Sequence, residues 1–335
     1  MSAKPPRRRE LSLDEYDQGV RGGNVAVLAR ALTLIESRLP RHKQLAEQLL
    51  TRLMPLAGKA IRVGITGAPG VGKSTFVEAL GMKLIREGHR VAVLAVDPSS
   101  GISGGSILGD KTRMAQLSIE PNAYIRPSPN AGTLGGVASK TRETMLVCEA
   151  AGFDVVLVET VGVGQSETMV AEMTDVFVAL LLPGAGDELQ GIKRGLIELA
   201  DVIAVNKADG PMQKQAEVAA HQYQQAIESL AGRDQKKLPR ILTCSALQNR
   251  GVDGVWDAVQ LIFKDLQLTG ELEKKRRKQN LRWLWSLVDQ QLRLAIQEHS
   301  GVAAIRDDIE SQVLAGTMPA EIAAREILRV FLQDR

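Results

Sequence analysis

The feature that most constrains the fold of this chain is a glycine-rich segment that matches the pattern G-x-x-x-x-G-K-[ST] in full. It follows an apolar run at residues 61–66, typical of a buried strand, and it precedes a helical pattern at about 73–87. In this strand–loop–helix context the pattern predicts a loop that wraps around phosphate groups. Its residues are Gly67, Ala68, Pro69, Gly70, Val71, Gly72, Lys73 and Ser74.

Each residue type in this loop suits one task in holding the phosphates of a nucleotide. Glycines let the backbone turn so that several N–H groups face phosphate oxygens, and the N-terminus of the following helix adds partial positive charge. We expect Lys73 to lie beside the β- and γ-phosphates, Ser74 to bind Mg²⁺ and Thr75 to support the α-phosphate. The expected ligands are therefore a nucleoside triphosphate and Mg²⁺.

Further apolar runs alternate with helical segments through the middle of the chain. They lie at residues 90–96, 155–158, 176–181, 202–205 and 240–243. Continuous β-branched runs separated by helices are typical of a parallel sheet covered on both faces. The sequence therefore predicts an α/β protein of the P-loop NTPase class, with a doubly wound, mostly parallel sheet over residues 61–265.

Helical patterns flank this region on both sides. Residues 1–60 predict a helical N-terminal extension, and residues 266–335 predict a helical C-terminal arm. The arm carries an apolar stripe formed by Trp283, Leu284, Leu287, Val288, Leu292 and Ala295. Because a tail of about 70 residues has little core of its own, the arm either packs on the parent domain or forms a dimer.

A second motif, Asn206-Lys207-Ala208-Asp209, follows the strand-like run at 202–205 and indicates which base is bound. The Asp209 carboxylate can accept hydrogen bonds from guanine N1–H and the 2-amino group. Adenine lacks both donors and would leave the carboxylate unpaired, at a cost of ~1–3 kcal/mol. We expect Asn206 to bridge base and loop, and the stem of Lys207 to cover the ring. The segment after the next strand is expected to complete the guanine site with Ser245, Ala246 and Leu247.

Two further loops carry candidate catalytic and magnesium-binding residues. Asp97 follows the second strand, and Asp110 lies farther along the same glycine- and serine-rich segment. Mg²⁺ usually takes one or two carboxylates and keeps waters, so both need not be direct ligands, and Asp110 could instead cap a helix. Glu159 and Gly162 close a later strand, where GTPases usually place Asp-x-x-Gly. We expect Glu159 to hold Mg²⁺ through water and the Gly162 amide to sense the γ-phosphate. Together with Lys73, these four are the expected catalytic residues.

The residue after Gly162 is Val163, not the water-orienting glutamine of Ras-like proteins. This difference predicts slow intrinsic hydrolysis that needs a partner. A third glycine-rich loop, at residues 183–193, follows another strand. We expect it to contact a partner in a nucleotide-dependent way, with an ordinary surface loop as the alternative.

Composition narrows the classes of partner. The net charge is only +3, and the basic clusters at 7–9 and 274–278 are local, so we expect no nucleic acid partner and interpret both clusters as solvated. No run of ~18 apolar residues occurs, so no membrane partner is expected. Cys148 and Cys244 lie far apart, and the N-terminus lacks the apolar core of a signal peptide. We expect a cytoplasmic protein.

Several longer stretches carry a family resemblance. They are VGITGAPGVGKSTF, VAVLAVDPSSGISGGSILGDKTRM, IRPSPNAGTLGGVA, VETVGVGQSE, LLPGAGDELQGIK and VNKADG. With them, the chain resembles the MeaB/ArgK-type GTPases, relatives of the signal-recognition and metallochaperone GTPases, over most of residues 20–335. The family's phosphate, magnesium and switch positions fall on Lys73, Ser74, Asp97, Asp110 and Glu159. Its guanine positions fall on Asp209 and residues 245–247.

The resemblance implies a function that the residues alone do not give. Members of this family bind GTP and GDP with Mg²⁺ and assist methylmalonyl-CoA mutase, an adenosylcobalamin-dependent acyl-CoA mutase. They gate cofactor loading and protect or reactivate the mutase, and they are typically homodimers through a C-terminal helical arm. A chaperone of this kind is the function the resemblance implies here.

Two other functions are alternatives to a mutase chaperone. A nickel- or other metal-insertion GTPase usually needs Cys or His clusters, whereas the four histidines of this chain are isolated. A kinase acting on amino-acid transport binding proteins would need a catalytic base, for which the sequence shows no separate signature. Transfer of phosphate to protein rather than to water would distinguish that second alternative.

Overall fold

The computed structural model describes residues 9–37, 39–97, 114–128, 134–161, 166–183, 194–231 and 238–333. Its strands are β1 (Ile61–Gly67), β2 (Val91–Val96), β3 (Ala123–Arg126), β4 (Val155–Thr160), β5 (Val176–Leu181), β6 (Val202–Val205) and β7 (Arg240–Thr243). They form a seven-stranded sheet in the order β3-β2-β4-β1-β5-β6-β7, and every neighbouring pair is parallel. The predicted parallel sheet is confirmed.

Helices precede, separate and follow these strands. They are α1 (Leu13–Arg21), α2 (Val25–Glu36), α3 (Pro40–Leu53), α4 (Lys73–Arg86), α5 (Leu134–Ala150), α6 (Ser166–Ala171), α7 (Arg194–Leu199), α8 (Gln213–Ala231), α9 (Val252–Leu268), α10 (Glu271–Glu298), α11 (Ser300–Leu314) and α12 (Ala320–Gln333). The strand β3 is not among those the sequence predicts, because its four residues, AYIR, are too few and too mixed to stand out. It nevertheless forms one edge of the sheet.

Helices cover the sheet on both faces. On one face α4 and α9 bury large side chains, among them Phe76 and Trp256, against the strands. On the other face α1–α3 and α5 contribute to a second core that includes Leu28, Leu49 and Phe177. Burial on both faces explains why the central strands read as continuous apolar runs. The N-terminal helices are thus part of the packing that supports the sheet.

A buried ionic network lies at the amino ends of β1 and β5, the edge opposite the glycine-rich loop. The side chain of Asp175 is fully buried and accepts two hydrogen bonds from Arg276, at 2.8 and 2.6 Å. Its Oδ2 also accepts the backbone N–H of Arg62 at 2.9 Å. The Arg62 Nε in turn donates to Glu149 at 2.6 Å. Because each buried charge has an opposite partner, the network ties β1, β5, α5 and the start of α10 together.

This network corrects one interpretation of the sequence. The cluster at 274–278 was expected to be solvated, and Lys274 does form an exposed pair with Glu271. Arg276, however, is 14% exposed at its side chain, and the Lys275 ammonium donates to the Asp175 carbonyl at 2.6 Å. The solvated interpretation is therefore wrong for these two residues. Charge alone cannot show which face of a helix contacts the protein.

The chain divides into two compact units, residues 1–276 and 277–335. In the second unit α11 and α12 bury Val302, Ile309, Ala323 and Phe331. The ring of His299 caps α11 by accepting the Val302 N–H at 3.3 Å, and it meets the Phe331 ring edge-on at 5.4 Å. The domain boundaries expected after residues 60 and 265 stay predictions. Among the described residues, no helix is both long and apolar enough to cross a membrane.

Candidate nucleotide-binding site

The glycine-rich loop joins the carboxyl end of β1 to the first turn of α4, as the sequence predicts. Gly70 and Gly72 have φ angles of 77° and 95°, in the left-handed region that favours glycine. A Cβ atom at Gly67 would lie 2.4 Å from the Leu180 carbonyl oxygen of the adjacent strand. The loop therefore needs glycine both for its turns and for its close approach to β5.

Lys73 begins α4 and folds back over this loop. Its ammonium donates to the carbonyl oxygens of Gly67 at 2.7 Å and of Ala68 at 3.2 Å. Ser74 is half-buried and Thr75 is exposed in the same first turn. The turn thus brings one positive charge, two hydroxyl groups and the amino end of a helix to one place, an arrangement suited to phosphate.

The guanine segments lie at the same edge of the sheet, after β6 and β7. The register pairs Leu181 with Val205 and Val205 with Thr243, so the residues that follow these strands meet at one edge. The Asn206 amide donates to the Val71 carbonyl at 2.8 Å and accepts the Ala246 N–H at 3.0 Å. One buried side chain therefore joins the phosphate loop to both guanine segments.

This junction is tightly packed. A Cβ atom at Gly72 would lie 2.8 Å from the Asn206 Nδ2 atom. The Cys244 thiol contacts the oxygen of the same amide group, with its sulfur 3.6 Å from the Asn206 Oδ1 atom. Burial raises the pKa of Cys244 to about 12, so the thiol stays neutral and donates a weak hydrogen bond to the Asn206 oxygen. Asn206 thus positions the phosphate loop and the segment after β7. The sequence predicts that it also contacts the base.

The predicted base-recognition carboxylate is already oriented by the neighbouring segment. The hydroxyl of Ser245, which is fully buried, donates to the Oδ2 atom of Asp209. The same hydroxyl accepts the N–H of Gln248 at 3.2 Å. A carboxylate has about four acceptor positions, so Asp209 keeps capacity for two further donors. Lys207 is exposed beside it with a φ of 60°, and Leu247 is 78% exposed.

The candidate switch residues come from β2 and β4, which pair with each other beside β1. Glu159 is 2% exposed and lies next to Ile65 and Ala95 in the register. Beyond it, the hydroxyls of Thr66 and Thr160 lie 3.0 Å apart. Asp97 follows β2 and is also buried. Asp110, Gly162 and residues 184–193 of the third glycine-rich loop lie outside the described residues, so their predicted roles stay predictions.

Three described side chains offer oxygen atoms of the kind that Mg²⁺ takes as ligands. Asp97 and Glu159 are buried carboxylates at neighbouring strand ends, and Ser74 adds a hydroxyl in the first turn of α4. Within the described ranges, no group of three His, Cys, Asp or Glu side chains could hold a metal ion. Mg²⁺ does not require one, because it takes one or two carboxylates and completes its shell with waters and phosphate oxygens.

Comparison with known families agrees with this geometry. The model of a family described as "Methylmalonyl Co-A mutase-associated GTPase MeaB" matches residues 28–300. The chain belongs to the MeaB family. Several relatives that are 53% identical to it are named GTPases.

Relatives of this MeaB-family chain resemble it over most of its length. The Escherichia coli protein named GTPase ArgK is 53% identical over 275 residues, which cover 82% of this chain and 83% of that protein. A mouse protein named methylmalonic aciduria type A homolog, mitochondrial, is 44% identical and covers 97% of this chain, with 80% of its own length matched. A crystal structure of a LAO/AO transport system kinase matches with a TM-score of 0.76 at 40% identity, covering 98% of this chain and 100% of that one. The chain is thus a P-loop GTPase.

The structure also places one residue of this MeaB-family site that the sequence did not single out. Ser128 lies just beyond β3, and its hydroxyl accepts the backbone N–H of Asp97 at 2.9 Å. It is part of the stretch IRPSPNAG, which carries the family resemblance but contains no recognised motif. Only the pairing of β3 with β2 reveals the contact, and β3 was not predicted.

Proposed function

We propose that this GTPase is a chaperone of an adenosylcobalamin-dependent acyl-CoA mutase of the methylmalonyl-CoA mutase type. It would use GTP hydrolysis to gate cofactor loading and to protect or reactivate the mutase. The observation that carries the proposal is the match of residues 28–300 to a family described as mutase-associated. The mouse relative, named for methylmalonic aciduria, supports the same assignment.

In this proposal the residues at the sheet edge bind and orient GTP. The loop 67–74 surrounds the phosphates with backbone N–H groups, and Lys73 and Thr75 contact them directly. Asp209 accepts the guanine N1–H and 2-amino donors, while Lys207 covers the ring. Asn206 and residues 245–247 hold that arrangement. The observation supporting these roles is the set of bonds that Asn206 makes to both loops.

The proposed magnesium-binding residues are Ser74, Asp97, Asp110 and Glu159. When bound, Mg²⁺ would neutralise charge on the phosphate oxygens. The position of Asp97 and Glu159 supports the proposal, because they lie in or just after β2 and β4, which are paired with each other, and β4 also pairs with β1, the strand that leads into the phosphate loop. The Gly162 amide would sense the γ-phosphate, and the third glycine-rich loop would report that state to the mutase.

Hydrolysis by the isolated protein is proposed to be slow. The chain has Val163 where Ras-like proteins place a glutamine, so no side chain at that position orients the attacking water. Unassisted GTPases can run about 10⁵-fold below their activated rate. The mutase would then control when GTP is consumed.

A pull-down with purified methylmalonyl-CoA mutase tests the proposal. We expect the two proteins to form a complex whose affinity differs between a GTP analogue and GDP, and we expect the mutase to raise the GTPase rate. An acyl-CoA enzyme that does not use cobalamin is the control partner. Equal and negligible binding in both nucleotide states, with an unchanged GTPase rate, would contradict the proposal. Isobutyryl- and ethylmalonyl-CoA mutases, tested in the same way, would identify the preferred partner.

We also propose that the protein is a homodimer through its C-terminal arm. The supporting observation is an apolar face on α10 in which every member is at least 42% exposed. Its members are Leu281, Leu284, Trp285, Val288 and Leu292. Their spacing of three and four residues puts them on one side of the helix. A contiguous apolar face of this kind usually marks an interface, and a second copy presents the same face.

A further inference from the structure

We propose that Ser128 is a positioning residue for Asp97, and that the N-terminal helical extension braces it through an ion pair between Glu36 and Arg126. The inference deepens the proposed function, because it rests on the proposed magnesium role of Asp97. It gives the N-terminal extension a task at the catalytic edge of the sheet. Each step of this connection, from Asp97 to Glu36, is a contact between described residues.

The first link joins the ends of two neighbouring strands. The Asp97 backbone N–H donates to the Ser128 hydroxyl oxygen at 2.9 Å, and that hydroxyl lies 3.4 Å from the Asp97 carbonyl oxygen. Asp97 is 7% exposed and Ser128 is 8% exposed. Because water has little access, no solvent molecule readily replaces the hydroxyl as acceptor.

The second link explains why a side chain makes this contact. The register of β2 with β3 ends at the pair Leu94 and Arg126. The residue after β3 is Pro127, which has no N–H group and cannot donate a further backbone hydrogen bond to β2. Ser128 therefore extends the attachment of the two strands past the end of the backbone ladder, to the residue whose carboxylate is proposed to face Mg²⁺.

The third link holds β3 itself. Arg126 makes a two-bond pair with Glu36, the last residue of α2, through Nε at 3.1 Å and through Nη2. The two side chains are 22% and 17% exposed. A two-bond arginine–carboxylate pair fixes direction as well as distance. Lys140 adds a bond from α5 to the Ile35 carbonyl at 2.8 Å, which holds the same end of α2.

Loss of the Ser128 hydroxyl should cause a specific defect in Mg²⁺ binding. Ser128→Ala leaves the Asp97 N–H buried without its acceptor, so the strand end must shift or admit water. A displaced Asp97 binds Mg²⁺ less well, while the phosphate loop and guanine segments are untouched. Nucleotide affinity without Mg²⁺ should therefore stay normal, and only the effect of Mg²⁺ should change.

The experiment measures release of fluorescent GDP from the full-length protein across a range of Mg²⁺ concentrations. For Ser128→Ala we expect the Mg²⁺ concentration that half-maximally slows release to rise about five- to tenfold, the effect of one buried hydrogen bond. Release in EDTA should match the wild type. Ser118→Ala is the matched control, because Ser118 is an exposed serine that precedes β3, where its hydroxyl donates to the Ala115 carbonyl at 3.1 Å.

Three further variants complete the test. Glu36→Gln removes the charge of the brace without touching Ser128, and it should raise the Mg²⁺ midpoint in the same direction by a smaller factor. Ser128→Thr retains the hydroxyl and should return the midpoint toward that of the wild type. A wild-type midpoint in folded Ser128→Ala, or in Glu36→Gln if the alanine variant does not fold, overturns the inference. Asp97→Asn separates the two claims, because an unchanged midpoint there would refute the magnesium role of Asp97 itself.

Discussion

At the scale of single residues, the site depends on polar side chains that each bond to two neighbours. Asn206 donates to the phosphate loop and accepts from the segment after β7. The Ser245 hydroxyl donates to Asp209 and accepts from Gln248. Side chains that bond to two neighbours couple the parts of the site, so substitutions among them should have effects that do not add.

Lys73 is the cation that we propose to contact the phosphates, and its ammonium already lies against the loop carbonyls of Gly67 and Ala68. Lys73→Ala should lower GTP turnover by about 100-fold or more, because it removes a preorganised charge from the transferring phosphoryl group. Steady-state phosphate release at saturating Mg²⁺ is the measurement. Lys83→Ala, on the same helix but paired with Glu87, should keep the wild-type rate. Equal rates for both variants would remove Lys73 from the site.

Asp209 is the residue on which base choice should depend. Asp209→Asn replaces an acceptor with a donor opposite guanine N1–H, so GTP should bind about 100-fold more weakly while xanthosine triphosphate binds better. Competition against fluorescent GDP measures both affinities. Unaltered GTP affinity in the variant would show that this carboxylate does not contact the base.

At the scale of elements, the start of α10 is held more firmly than its charge pattern suggests. Arg276 lies among Asp175, Ala60 and Gly58, and it donates to the Ala60 carbonyl at 2.7 Å. Desolvation opposes its charge, but hydrogen bonds and attraction to Asp175 raise the pKa of Arg276 overall. The pair therefore remains ionised.

Loss of Arg276 should destabilise the fold much more than loss of its neighbour. Arg276→Met leaves the Asp175 carboxylate buried without its counter-ion, which typically costs about 3–5 kcal/mol of unfolding free energy. Lys274→Met removes an exposed pair and should cost less than about 1 kcal/mol. Urea unfolding of both variants gives the comparison. Similar midpoints would mean that water relieves Asp175 when arginine is removed.

The elements also show how far sequence reasoning extends. The long strands β1, β2, β4 and β5 are mostly apolar, and they were predicted because burial on both faces leaves that pattern. The strand β3 was not predicted, because its four residues are too few to show a pattern of apolar and polar positions. In the site, the loop 67–74 and the guanine segments were predicted from their motifs. The Ser128–Asp97 bond was not, because it joins residues 31 positions apart through a strand pairing that no local pattern records.

At the scale of the whole molecule, the exposed apolar face of α10 is the feature that supports the proposed homodimer. Trp285 is 60% exposed and Val288 is 42% exposed. The double substitution Trp285→Glu and Val288→Glu should convert the proposed dimer to a monomer, because two charges per copy would be desolvated in the interface. Sedimentation velocity at micromolar concentration measures the state. The control is Glu271→Gln with Lys274→Gln, two exposed residues near the start of the helix. A Trp285→Glu, Val288→Glu variant that sediments as the wild type would refute the proposed interface.

The attachment of β1 at both ends has a consequence for amide exchange. Its first residue donates to the Asp154 carbonyl, the Arg62 N–H donates to Asp175, its last residue lies against Leu180, and β4 and β5 pair with it on either side. No fraying end is left from which the strand could open on its own. Deuterium should therefore enter Val63 and Ile65 only when the entire first unit unfolds. Exchange at these two amides would then serve as a probe of global stability, with or without nucleotide.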